Sequence, residues 1–80
     1  MVKRLQFTRR SRRHRIGRAS ALYVIANTDA IEDVFEPTGD TRYTWHGLDE
    51  RGRELEIIAL DRPDCILVIH VMPNYRGRKS

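Results

Sequence analysis

Residues 42–72 read RYTWHGLDERGRELEIIALDRPDCILVIHVM, and the fold turns on how that stretch divides. Two runs rich in β-branched and aromatic residues, 42–48 and 53–60, flank a turn centred on Asp49-Glu50-Arg51-Gly52. Gly52 can take a positive φ angle at no steric cost, so the two runs read as an antiparallel hairpin. A second turn follows at 61–64, where Pro63 presets the backbone. The next run, CILVIHVM (65–72), is the most apolar in the chain and is expected to be the central strand. Pro73 stops it. Three meandering strands, joined by a fourth from 31–36 or from the N-terminal residues, would make a small antiparallel sheet.

Upstream, RASALYVIAN (18–27) carries Ala19, Leu22, Ile25 and Ala26 on one helical face, widened by Ala21 and Val24, which predicts a core helix. Asn27, Thr28 and Asp29 end it. Before it, FTRRSRRHRIGR (7–18) holds six arginines and a histidine in twelve positions. Thr8 is placed to cap a helix there, its hydroxyl accepting from a backbone N–H two or three residues later. Positions 9–15 have no apolar stripe, so this helix must draw its stability from neighbours or a ligand. Ile16-Gly17 breaks it. The expected fold is α+β: N-terminal helices packed on a small antiparallel sheet of three to four strands. Residues 1–80 form a single domain, with a basic helical segment over 8–27 and a β-meander over 42–72. A chain this short buries only about 60% of its unfolded surface, so a partner would help it.

AIEDVFEP (30–37) has two readings. As a helix it aligns Asp29, Glu32, Asp33 and Glu36 on one carboxylate face able in principle to hold Mg²⁺; as a strand ending at Pro37 it exposes those acids to water or a partner. The Arg-rich start followed by ASALYVIA mimics a signal or transit peptide. Its removal would leave the apolar strands without a helix to cover them, so it is expected to belong to the fold. No apolar run approaches the roughly 18 residues of a membrane span. The single cysteine, Cys65, reads as a small buried hydrophobe and fits a reducing cytoplasm.

Charge is distributed unevenly. Residues 1–18 carry +8 with no acid, residues 19–72 carry −7, and residues 73–80 carry +3, for a net +4. Basic ends around an acidic middle point to a polyanion-binding face, because each neutralised phosphate releases counterions. The candidates for phosphate contact are Arg9, Arg10, Arg12, Arg13, Arg42 and Arg78. A solvated basic arm that pairs with the acidic middle has the same composition.

No Cys/His set has zinc spacing, and there is no Gly-rich phosphate loop or Ser-His-Asp pattern, so no metal or cofactor is expected. His14, His46, His70, Tyr43, Tyr75 and the arginines remain. Such groups suit metal-independent RNA cleavage, in which a base takes the 2′-OH proton, cations stabilise the phosphorane charge, and an acid protonates the 5′-oxygen. His46 shares its strand face with Thr44 and Leu48. His70, inside the apolar run, reads as a core histidine. Like charge around His14 disfavours its protonated form, which suits a base. Tyr75 and Arg76 follow the last strand, where side chains emerge at a sheet rim.

The order RRHRIGRASALYVIAN, EDVFEP, RYTWHGLDERGRELEIIAL and CILVIHVM resembles the BrnT-type toxins of bacterial toxin–antitoxin modules, small relatives of the RelE mRNA interferases. Arg13, His14, Ile16 and Gly17, with Arg15 intervening, echo that family's basic-His-Gly-aliphatic turn before a helix. Val34 to Pro37 echo its Val-Phe-x-Asp-Pro-like segment, and Glu50 to Arg53 its hairpin turn. The resemblance implies a RelE/BrnT-like fold, cleavage of mRNA with inhibition of translation, and a cognate antitoxin covering the basic groove. The candidate catalytic residues are then His14, His46, Tyr75 and Arg76, in a cytoplasmic protein. Two other classes share the basic arm: a non-catalytic nucleic-acid-binding module, in which Trp45 and Tyr43 stack on bases if they face outward, and a degenerate toxin acting only through protein partners.

Overall fold

The computed structural model describes residues 4–12 and 14–73. In chain order these form β1 (Arg4–Phe7), a 3₁₀ turn (Arg10–Arg12), α1 (Arg18–Asn27), β2 (Ile31–Phe35), β3 (Asp40–Leu48), β4 (Glu54–Asp61) and β5 (Cys65–Pro73). The strands make one sheet in the order β1-β5-β4-β3-β2, with β1 parallel to β5 and every other pair antiparallel. No helix among the described residues is long and apolar enough to cross a membrane.

This corrects the expected fold. The sheet has five strands and is mixed, and one helix of ten residues lies against it instead of several helices on three to four antiparallel strands. Both candidate fourth strands join the sheet. In β1, Leu5 and Phe7 alternate with the exposed Arg4 and Gln6, and pairing in parallel with β5 sets Leu5 opposite Ile66 and Phe7 opposite Val68. β4 is the middle strand, not β5. The expected basic helix contracts to the 3₁₀ turn, because cations at i, i+4 spacing repel and no apolar stripe offsets them. Thr8 does cap that turn: its Oγ1 accepts from Ser11 N–H at 3.1 Å, and its carbonyl accepts from Ser11 Oγ at 2.6 Å. Arg15, at φ 58°, then turns the chain through the left-handed region toward α1.

The core lies between α1 and one face of the sheet. Trp45, Ile57 and Val71 stand in register across β3, β4 and β5, with Leu55, Ala59 and Val68 beside them, and all are buried. Burying a side chain such as Leu55 or Ile57 contributes about 1.5–3 kcal/mol relative to leaving it in water. Val68 and Val71 are three apart, yet both face the core. Strict alternation forbids that, and a register shift between Ile58 and Ala59, which leaves Ile69 as the extra residue of β5, allows it.

Part of the expected helix face docks: Ala21 and Val24 lie in the core and Ile25 packs against it. Ser20, Ala21 and Val24 are buried, whereas Ala19, Leu22 and Ala26 are exposed. Apolar residues are spread around this helix, and its small side chains, which permit close approach to the sheet, decide which side docks. The 30–37 segment is a strand through Phe35. Glu32 and Asp33 therefore point to opposite faces, and the four-carboxylate cation face does not form.

Candidate functional site

The second face of the sheet carries the polar chemistry. Three cross-strand rows cross it: Arg42, Leu60 and Leu67; Thr44, Ile58 and His70; His46, Glu56 and Met72. The rows are set by the β3–β4 hairpin, whose turn is locked by one carboxylate. Asp49 Oδ1 accepts from Arg51 N–H at 2.9 Å and Arg53 N–H at 2.8 Å, and Oδ2 accepts from Arg53 Nε at 2.7 Å. Burial pushes this carboxyl up, but the hydrogen bonds from Arg53 and Arg51 outweigh it and hold it below the usual value. Ser20 on α1 donates to Glu50 at 3.0 Å and accepts from Arg53 at 3.3 Å, tying the turn to the helix. Gly52 takes the positive φ, 79°.

That register sets His46 directly opposite Glu56. His46 Nε2 lies 2.9 Å from Glu56 Oε2, and His70 Nε2 lies 3.2 Å from Glu56 Oε1. One carboxylate thus holds two imidazoles on a sheet face, with the side chains 39%, 22% and 32% exposed for His46, Glu56 and His70. The hydrogen bond from His46 chiefly lowers the Glu56 carboxyl; burial opposes it, and the positive charge that each histidine carries when protonated adds to it.

Beside His70 lies a groove of about 610 Å³. Phe35, Ile58, Leu60 and Ile69 make its apolar wall; Thr8, Arg10, Arg42 and His70 are its polar members. Ile69, the extra residue of the β5 irregularity, faces this groove instead of the core. Arg42 is anchored by a bidentate pair with Asp33, at 2.9 and 2.6 Å, and its guanidinium lies 5.9 Å from the Phe35 ring centre. Arg10 is exposed and makes no ion pair among the described residues.

The expected site residues divide accordingly. His46 is on this face, and Arg10 and Arg42 line its groove. Arg9 and Arg12 are exposed beside Arg10. His14 is exposed and has no hydrogen bond to the histidine pair. Arg13, Tyr75, Arg76 and Arg78 lie outside the described residues. Trp45 faces the core at 8% exposure, so it is no outward stacking platform; Tyr43 tilts against it and donates to Asp61.

Glu56 is the member of the site that the sequence reading leaves out. Glu56 was legible, since counting back from the 49–53 turn pairs it with His46. His70 is among the groups the sequence offers for acid–base work, but its place in an apolar run reads as core, and hydropathy alone gives no sign that it faces outward. Compared with known protein families, curated proteins and solved structures, the chain matches none of them.

Proposed function

We propose that this protein is a metal-independent endoribonuclease and the toxin of a bacterial toxin–antitoxin pair, acting on mRNA in the cytoplasm and restrained by a cognate antitoxin. The observation that carries the chemistry is the pair of imidazoles, His46 and His70, on the two oxygens of Glu56. One carboxylate balances one imidazolium, so the electroneutral form of this trio has one charged and one neutral ring. That is the complement general acid–base cleavage needs.

With Nε2 donating to Glu56, Nδ1 of the neutral ring takes the 2′-OH proton while the 2′-oxygen attacks phosphorus. The 5′-oxygen leaves with the proton from Nδ1 of the charged ring. A 2′,3′-cyclic phosphate and a free 5′-hydroxyl result. Glu56 is a positioning residue, and Arg10, with Arg9 and Arg12, supplies positive charge for the developing phosphorane. Tyr75 and Arg76 stay candidates for the same role, on the family resemblance. The assignment of toxin and antitoxin rests on that resemblance together with the basic, acid-free start of the chain.

The test is cleavage of single-stranded RNA by the purified chain in EDTA, alone and with translating ribosomes. His46→Ala and His70→Ala should each lower the rate about 10²–10⁴-fold. Salt-sensitive RNA binding with no cleavage in either setting sinks the nuclease and leaves a binding module. Absence of both leaves neither.

A further inference from the structure

We propose that the groove beside His70 is a nucleobase subsite, which seats the base next to the scissile phosphate. The inference rests on the RNA-cleavage reading of the same face and adds to it the part of the substrate that the groove would hold. The groove has the volume of a small-ligand site, about 610 Å³, within the usual range of roughly 300–1,000 Å³. Its chemistry is two-sided. Phe35, Ile58, Leu60 and Ile69 present an apolar wall of the kind that a planar base covers well, and Arg10 and His70 stand at its polar margin. A flat aromatic ring with an anion attached fits that division; an inorganic anion uses only the margin, and an apolar molecule only the wall.

Position along the sheet links the groove to the histidines. His70 belongs to both: it lines the groove and it bonds Glu56 Oε1. A nucleotide with its base against Ile58 and Ile69 would therefore set its phosphate at His70, beside the position of His46. The outward placement of Ile69 contributes directly, since it depends on the β5 irregularity, and a regular strand would lack this part of the wall.

Binding is measured on the full chain by methyl and backbone NMR titration. The probes are uridine and adenosine 3′-monophosphate, ribose 5-phosphate, inorganic phosphate, and an uncleavable 2′-deoxy tetranucleotide. The nucleotides should shift the methyls of Ile58, Leu60 and Ile69 and bind about tenfold tighter than ribose 5-phosphate. The tetranucleotide should bind tighter still. Phe35→Ala and Ile69→Ala should each weaken nucleotide binding severalfold. Equal affinity for ribose 5-phosphate and the nucleotides, or shifts confined to residues outside the groove, overturns the subsite. A mononucleotide that binds as well as the tetranucleotide makes a free nucleotide the ligand and overturns it equally. Parallel binding and cleavage assays on the unmutated chain separate this inference from the one beneath it: base-dependent binding by a chain that cleaves no RNA upholds the subsite and removes the nuclease, and cleavage without base-dependent binding does the reverse.

Discussion

Gly47 on β3 lies directly beneath Thr28 at the end of α1, so close that a Cβ added at Gly47 would stand 2.5 Å from Thr28 Cγ2. The threonine cannot easily swing away, because its Oγ1 donates to the Val24 carbonyl at 2.7 Å. Gly47→Ala should therefore destabilise the protein by about 1–3 kcal/mol through overpacking. Thr28→Ser removes the offending methyl, and the double variant should recover part of that loss, a non-additivity readable from urea midpoints. A Gly47→Ala protein as stable as the parent would mean that α1 does not sit this close.

Asp49→Ala should cost about 2 kcal/mol, since it removes the buried carboxylate that accepts from the Arg51 and Arg53 N–H groups and from the Arg53 guanidinium. Loss of the turn should also loosen the His46–Glu56 pairing. Amide hydrogen exchange at 46 and 56 would report it, and unchanged protection there would argue that the strands fix the register without the turn.

The Glu56 carboxyl is held below its ordinary value of 4.5, first by the hydrogen bond from His46. A lowered folded-state value means that this contribution is complete above about pH 4.5 and is lost as pH falls through the folded value. The stability gap between the parent and Glu56→Gln should thus be larger at about pH 5.5 than at about pH 3. Chemical denaturation at the two pH values measures it. A gap that widens on acidification contradicts the ion pairing described.

RNA affinity should fall with salt, and each phosphate contact removed should flatten the log–log slope by about 0.7 for a single strand. Replacing Arg9, Arg10 and Arg12 together by alanine should lower the slope by about 2. Filter binding across a salt series gives the number. A slope indifferent to these changes moves the phosphate contacts elsewhere on the chain.

Trp45 is buried on the helix side of the sheet, away from the face that holds the histidines. Its fluorescence should resist acrylamide and change little when RNA binds. Strong quenching by RNA would place the nucleic acid on the opposite face from the one proposed.

The local patterns of the sequence translated into structure unevenly, for identifiable reasons. The hairpin over 42–60 was legible because a glycine turn separates two β-rich runs, and it forms as β3 and β4. The Thr8 cap was legible too, but not the length of what it caps, since repulsion among arginines depends on neighbours that the segment alone does not show. β1 was visible only as an extended piece. Its parallel partner is 61 positions away, and four residues carry no signal about so distant a pairing. Only part of the expected face of α1 docks, because an apolar helix offers several stripes and the sheet chooses among them. Of the site, His46 came from the residues, whereas the outward turn of His70 and Ile69 rests on cross-strand pairing and an irregularity that hydropathy does not encode.

The parallel pairing of β1 with β5 also orders assembly in time. Strands β3, β4 and β5 are sequence neighbours and can zip together through short turns, but β1 must close a loop of some sixty residues before it gains a single ladder bond. Its docking should be the last step of folding. Until then β5, the most apolar strand, presents a bare edge to other chains, the kind of edge that seeds aggregation. Thr8, whose N–H bonds the Val68 carbonyl, travels with β1, and Arg10 follows it. The event that shields the vulnerable edge is thus the event that delivers the cationic rim of the groove, so an immature chain would be sticky and without its anion-binding wall at the same moment.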